Sequence, residues 1–122
     1  MQLNHLDLSV PDVAAASSFL IRHFGFTLLQ VKGNQGMAVL AGDGGVILAL
    51  TRSETASYPK TFHIGFLLDD ASEVGAKHAE LMAAGVSGLS ALQQLRGEPG
   101  FYCQTDWGIL LEVGKRMPAR TS

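Results

Sequence analysis

The feature that most restricts the fold of this sequence is an internal repeat, because self-similarity at a fixed spacing means one structural unit used twice. His5 precedes Asp12 by seven residues, and His63 precedes Asp70 by the same interval. Leu3 to Val10 alternates, with Leu6, Leu8 and Val10 on one face and His5, Asp7 and Ser9 on the other. That is the pattern of a half-buried strand. Asp12 is a suitable N-cap for the run Val13 to Phe24. In that run Val13, Ala16, Leu20 and Phe24 form an apolar stripe at helical spacing, and Gly25 is placed to end it. Strands are then expected at Phe26 to Val31, Met37 to Ala41 and Val46 to Thr51, the last two joined through Gly42-Asp43-Gly44-Gly45.

The second half repeats this order. Phe62 to Leu68 reads as a strand carrying His63, and Asp70 with Glu73 makes a capping-box pattern before a helix at Ala71 to Ala84. Gly85 stops that helix as Gly25 stops the first. A weakly marked strand is expected at Val86 to Leu92. A hairpin follows, Tyr102 to Thr105 and Ile109 to Val113, about Asp106-Trp107-Gly108. The segment from Gly45 to Ala49 aligns with that from Gly108 to Glu112. The stretch Arg52 to Lys60, with Ser53, Thr55, Ser57 and Pro59, is the linker. The expected fold is α+β, a doubled βαβββ unit: one domain over residues 1–122, with module one at about 1–52 and module two at about 61–115.

Composition narrows the function. The 122 residues are 47% hydrophobic and 16% charged, enough apolar material for a core and too little charge for disorder. A net charge of −2 with no basic run gives no nucleic-acid face. No apolar stretch approaches the roughly 20 residues that span a bilayer. The start, Met1-Gln2-Leu3-Asn4-His5, lacks the basic and apolar regions of a signal peptide. Cys103 is the only cysteine, which excludes an internal disulfide and suits a reducing, cytoplasmic setting; it reads as a small buried hydrophobe. A cytoplasmic enzyme or small-molecule binder is expected.

Three residues stand out chemically. His5 and His63 occupy matching positions on the polar faces of the two first strands, and a repeated fold brings equivalent positions near one another across its pseudo-dyad. Glu112 places a carboxylate inside the apolar strand Ile109-Leu110-Leu111-Glu112-Val113. A buried carboxylate needs a partner, and a cation is one. Two imidazoles and a carboxylate on one side of an ion leave positions open for water or substrate, which suits Fe(II), Mn(II), Zn(II) or Ni(II). With the hairpin loop at Asp106 to Gly108, Tyr102 falls opposite Glu112, where its phenol can hydrogen-bond a bound oxygen.

Asn4-His5-Leu6-Asp7, Phe62-His63-Ile64-Gly65 and the tail from Phe101-Tyr102 to Asp106-Trp107-Gly108-Ile109-Leu110-Leu111-Glu112-Val113 resemble the vicinal oxygen chelate superfamily of glyoxalases, bleomycin-resistance proteins and extradiol dioxygenases. The likeness runs from about Leu3 to Val113. It implies paired modules forming an open, U-shaped mixed sheet that cups a divalent metal, with ligands His5, His63 and Glu112. The fourth family position falls on Ala49, which cannot bind metal and so becomes a wall of the substrate site. The three-ligand set resembles extradiol dioxygenases and fosfomycin-resistance transferases rather than four-ligand glyoxalase I, and both three-ligand groups carry a tyrosine at the place of Tyr102. A homodimer is also implied, in some relatives with each metal site built from two chains.

Other residues carry lesser expectations. Asp7 shares the face of His5 and can accept a hydrogen bond or carry a proton. Arg96, in the Gly/Pro-rich loop Gln94 to Gly100, can hold an anionic substrate. Ala38, Ile47 and Ala49 are expected to wall the cup. His23 and His78 lie on helices and read as structural, and Trp107 is expected at a turn tip, buried against a partner subunit. No single family activity fits: the additional histidine of ring cleavage, the lysine and serine of fosfomycin transfer, and the carboxylate of glyoxalase I and epimerases at Ala49 are all missing. The expectation is a metal-dependent enzyme acting on a small oxygenated substrate, by lyase, isomerase, transferase or dioxygenase chemistry. The alternative is a bleomycin-resistance-like protein that sequesters an antibiotic without catalysis.

Overall fold

Each half of the chain forms its own four-stranded mixed sheet with one helix in a computed structural model that describes residues 1–118. The chain divides into two compact units after Ser57. The first contains β1 (His5–Val10), α1 (Val13–Phe24), β2 (Thr27–Lys32), β3 (Met37–Ala41) and β4 (Ile47–Arg52), with strand order β1-β4-β3-β2. β1 runs parallel to β4, and β2, β3 and β4 form an antiparallel meander. α1 supplies the crossover. The Asp12 carboxylate accepts a hydrogen bond from the Ala15 amide at 2.9 Å, and Gly25 takes the left-handed conformation (φ 71°) that ends the helix. Leu8, Val10, Ala38, Leu40, Leu48 and Leu50 lie buried with Val13, Ala16 and Leu20 of α1. Each buried leucine of this kind contributes about 1.5–3 kcal/mol. The other face of the sheet carries His5, Asp7, Ile47, Ala49 and Thr51, in register across β1 and β4.

The second unit repeats the plan with β5 (His63–Leu68), α2 (Ala71–Ala83), β6 (Gln93–Leu95), β7 (Glu98–Gln104) and β8 (Leu110–Lys115), in the order β5-β8-β7-β6. Val74 and Leu81 of α2 are buried along with Phe101, Cys103, Leu111 and Val113. The β7–β8 connection is locked by Thr105: its hydroxyl donates to the Ile109 carbonyl at 2.7 Å and accepts from the Ile109 amide at 3.1 Å. That clamp fixes the hairpin register. The fold is therefore the expected α+β doubling of βαβββ.

Several local expectations need correction. Val86 to Leu92 is not a strand; it makes only a single bridge, Leu89 to Cys103, and the pairing strand is β6, three residues long. The segment Gln94 to Gly100 is not an open loop. Leu95 pairs with Glu98, and Arg96-Gly97, both at positive φ (54° and 81°), form a two-residue primed turn whose twist matches the flanking strands. Pro99 sits inside β7. The Asp70 side chain makes no cap hydrogen bond, so the capping box is not formed. Ala38 is in register with Leu50, on the buried face rather than the polar one. Trp107 is already buried within its own chain.

Candidate functional site

Glu112 lies in β8 between β5 and β7, with Gly65 and Tyr102 as its register partners. The β-strand alternation that buries Leu111 and Val113 on the helix side turns Glu112 to the opposite face. Even so, Glu112 is only 3% exposed. Its two oxygens have different surroundings. Oε2 accepts a hydrogen bond from Arg96 Nη2 at 2.7 Å. Oε1 is buried without a hydrogen-bond partner, although His63 Nε2 stands 3.4 Å away. A buried unpaired carboxylate oxygen is costly, by about 1–3 kcal/mol or more.

The state of the His63 ring follows from its other nitrogen. Nδ1 is 2.8 Å from the Thr61 carbonyl, which can only accept, so Nδ1 carries hydrogen. In the neutral ring Nε2 is then a lone pair facing the lone pairs of Glu112 Oε1. A cation bound by both would satisfy both, and a backbone carbonyl holding Nδ1–H is the usual support for a metal-binding imidazole. His63 and Glu112 thus supply two donors suited to a divalent ion.

Tyr102 stands beside this pair. Its ring meets His63 edge-on, with centroids 5.9 Å apart and planes at 88°. Burial first, and then the charge of Glu112 and the hydrogen bond the phenol donates to that carboxylate, push it above the usual range, so it is a hydrogen-bond donor at neutral pH. Arg96 is held above its usual value by its hydrogen bond to Glu112 and by that residue's charge. Its side chain is 52% exposed, leaving other guanidinium N–H groups facing outward.

In the first unit His5 has the same tautomer as His63: Nδ1 donates to the Ile47 carbonyl at 3.1 Å, and Nε2 is the acceptor. Two residues along the same face, Asp7 Oδ1 accepts a hydrogen bond from the Thr51 hydroxyl at 2.9 Å. Ala49 lies in register between Asp7 and Val39 and is buried. Among the described residues, no three His, Cys, Asp or Glu side chains gather as a group able to hold a metal ion. The remaining histidines have structural surroundings. His78 Nε2 donates to the Ser90 carbonyl at 2.8 Å with its ring edge-on to Phe101, and His23 meets Phe19 edge-on.

Sequence reasoning missed three supports: the Thr51 hydroxyl on Asp7, the Thr61 carbonyl on His63, and the Arg96–Glu112 pair. The last carried a signal, since an X-Gly dipeptide between two strand-like runs is a hairpin turn that folds its side chains back over the sheet.

Comparison with known proteins gives a consistent answer. The family model for the glyoxalase/bleomycin resistance protein/dioxygenase superfamily matches residues 2–113. No curated protein matches the chain. Among solved structures, a possible glyoxalase from Bacillus cereus is 33% identical, with a TM-score of 0.80 over 93% of this chain and 98% of that one. The lactoylglutathione lyase of Agrobacterium tumefaciens is 20% identical, with a TM-score of 0.75 over 93% and 92% of the two chains. The fosfomycin resistance protein FosX of Listeria monocytogenes is 17% identical, with a TM-score of 0.78 over 96% and 94%. The two latter likenesses are of fold. The family match across both modules, joined to the doubled βαβββ architecture, shows that the chain belongs to the glyoxalase/bleomycin resistance protein/dioxygenase superfamily.

Proposed function

We propose that the protein is a metal-dependent enzyme acting on a small oxygenated substrate, with His5, His63 and Glu112 as ligands of one divalent ion. The observation that carries this reading is the buried, unpartnered Oε1 of Glu112 beside the lone-pair nitrogen of His63. Fe(II), Mn(II), Zn(II) and Ni(II) all accept this donor set. When bound, such an ion supplies Lewis-acid polarisation of an oxygen and lowers the pKa of water.

The chain's own residues do the rest. His63 and His5 present Nε2 with Nδ1 held by backbone carbonyls, so neither ring needs to reorient. Tyr102 donates its O–H to a substrate oxygen. Asp7, steadied by Thr51, accepts or returns a substrate proton through its second oxygen. Arg96 offers its outward N–H groups to an acidic group on the substrate, and Ala49 shapes an apolar wall.

The working form is a homodimer. One observation supports this: β2 is an edge strand exposing Leu28, Leu29 and Val31. Calorimetry with a hydroxamate or catechol chelator tests the enzyme reading. Binding should be much tighter to metal-loaded than to stripped protein. Equal affinity for both would mean that the cavity binds by shape alone, as a sequestering protein does.

A further inference from the structure

We infer that Arg96 is a positioning residue that holds Glu112 to the use of one oxygen, and so weakens metal binding while keeping a coordination position open. This rests on the metal-centre reading above. The two Glu112 oxygens are divided between partners of opposite kind: Oε2 belongs to the guanidinium of Arg96 at 2.7 Å, and Oε1 alone remains beside His63. A carboxylate with both oxygens free can chelate an ion through both. One whose second oxygen is held by a guanidinium cannot do so without losing a charge-assisted hydrogen bond.

The backbone shows that this arginine is placed at a cost. Arg96 is at φ 54°, in the left-handed region that ordinary side chains avoid, at the first central position of a turn where Asn, Asp or Gly is preferred. Arg is strained in that conformation, which Asn tolerates more readily. What Arg supplies there, and Asn does not, is reach: its guanidinium spans from the β6–β7 turn to the middle of β8. The strain accompanies a specific contact with a ligand.

Two effects follow, with the same sign. A fixed positive charge at Oε2 repels a divalent cation at the same carboxylate. The loss of Oε2 as a donor removes one bond to the ion. Both lower metal affinity, and both favour a bidentate substrate over a second protein oxygen. This is opposite to what a merely structural arginine would do, since removing a structural support loosens the site and weakens the metal.

Arg96→Asn separates the roles, because Asn tolerates the left-handed turn and lacks the guanidinium. Arg96→Lys keeps the charge. On full-length protein, zinc affinity is measured by competition with a fluorescent chelator, and cobalt-loaded samples are compared by visible absorption. Arg96→Asn should bind zinc about tenfold tighter than wild type. Its cobalt spectrum should change in intensity as coordination rises, and it should bind a hydroxamate more weakly when loaded. Arg96→Lys should lie near wild type. Unchanged or weaker zinc binding in Arg96→Asn overturns the inference. Stripped protein gives a reading independent of metal. There Arg96→Asn should melt below wild type, despite its better turn residue, because the buried Glu112 carboxylate loses its charge-assisted hydrogen bond. An equal or higher melting temperature would also overturn the inference. If wild type binds no zinc, the metal-centre reading fails, and the two failures are thereby told apart.

Discussion

Tyr102 and Glu112 face each other directly across the β7–β8 ladder, in a register set by the hydroxyl clamp of Thr105 on Ile109. Because facing residues share one side of a sheet, the phenol and the carboxylate are delivered to the same place by the backbone alone. Tyr102→Phe removes the donor and keeps the ring against His63. The metal-loaded variant should bind a hydroxamate roughly two- to tenfold more weakly, the equivalent of a hydrogen bond of about 0.5–1.5 kcal/mol. Calorimetry on both forms reads this directly, and an unchanged affinity would remove Tyr102 from the site.

The two helices start with aspartates that look alike in sequence and act differently. Asp12 accepts the Ala15 amide, whereas the Asp70 side chain caps nothing. Asp12→Ala should therefore cost about 1 kcal/mol in denaturant unfolding, and Asp70→Ala should cost only a few tenths. Equal losses would contradict the cap geometry.

Much of this architecture was legible beforehand, for identifiable reasons. The period-two alternation of β1 and the glycine stop of α1 are local signals, and the matched spacing from His5 to Asp12 and from His63 to Asp70 exposed the doubling. The pairing of Tyr102 with Glu112 followed from a short loop. What sequence did not show was set by contacts distant in the chain. β6 is three residues of edge strand that carry almost no apolar pattern, so in sequence the hairpin at Arg96-Gly97 has the marks of a loop. Ala38 is apolar and could face either side; only its pairing with Leu50 decides. Arg96 reaches Glu112 across sixteen residues of chain; the Arg-Gly turn is a local signal, but which residue the guanidinium meets is set by the pairing of β7 with β8.

Burial first, and then the nearby Asp106 charge, raise the Cys103 thiol above its usual range. A raised thiol pKa means less thiolate at any given pH, and Cys103 is fully buried. Folded protein at pH 7–8 should thus resist iodoacetamide for hours, while denatured protein reacts at the ordinary rate. Mass spectrometry counts the adducts. Rapid labelling of folded protein would place the thiol elsewhere.

Subunit complementation tells a metal site shared between two copies from one completed within a chain. Neither His5→Ala nor Glu112→Ala should bind metal alone. Refolded together, mixed dimers with a shared site would hold one intact site and return about a quarter of the wild-type metal. No recovery, in a mixture that does form mixed dimers, would mean that each site is completed within one chain. Sedimentation at micromolar concentration should show the dimer.

The central claim is that His63 and Glu112 are ligands of a divalent ion, and metal content tests it most directly. Untagged wild-type protein, loaded with zinc or manganese and desalted, should carry one ion per chain by elemental analysis. His63→Ala should carry almost none, while its circular dichroism stays that of the wild type. Equal metal content in wild type and His63→Ala would contradict the account.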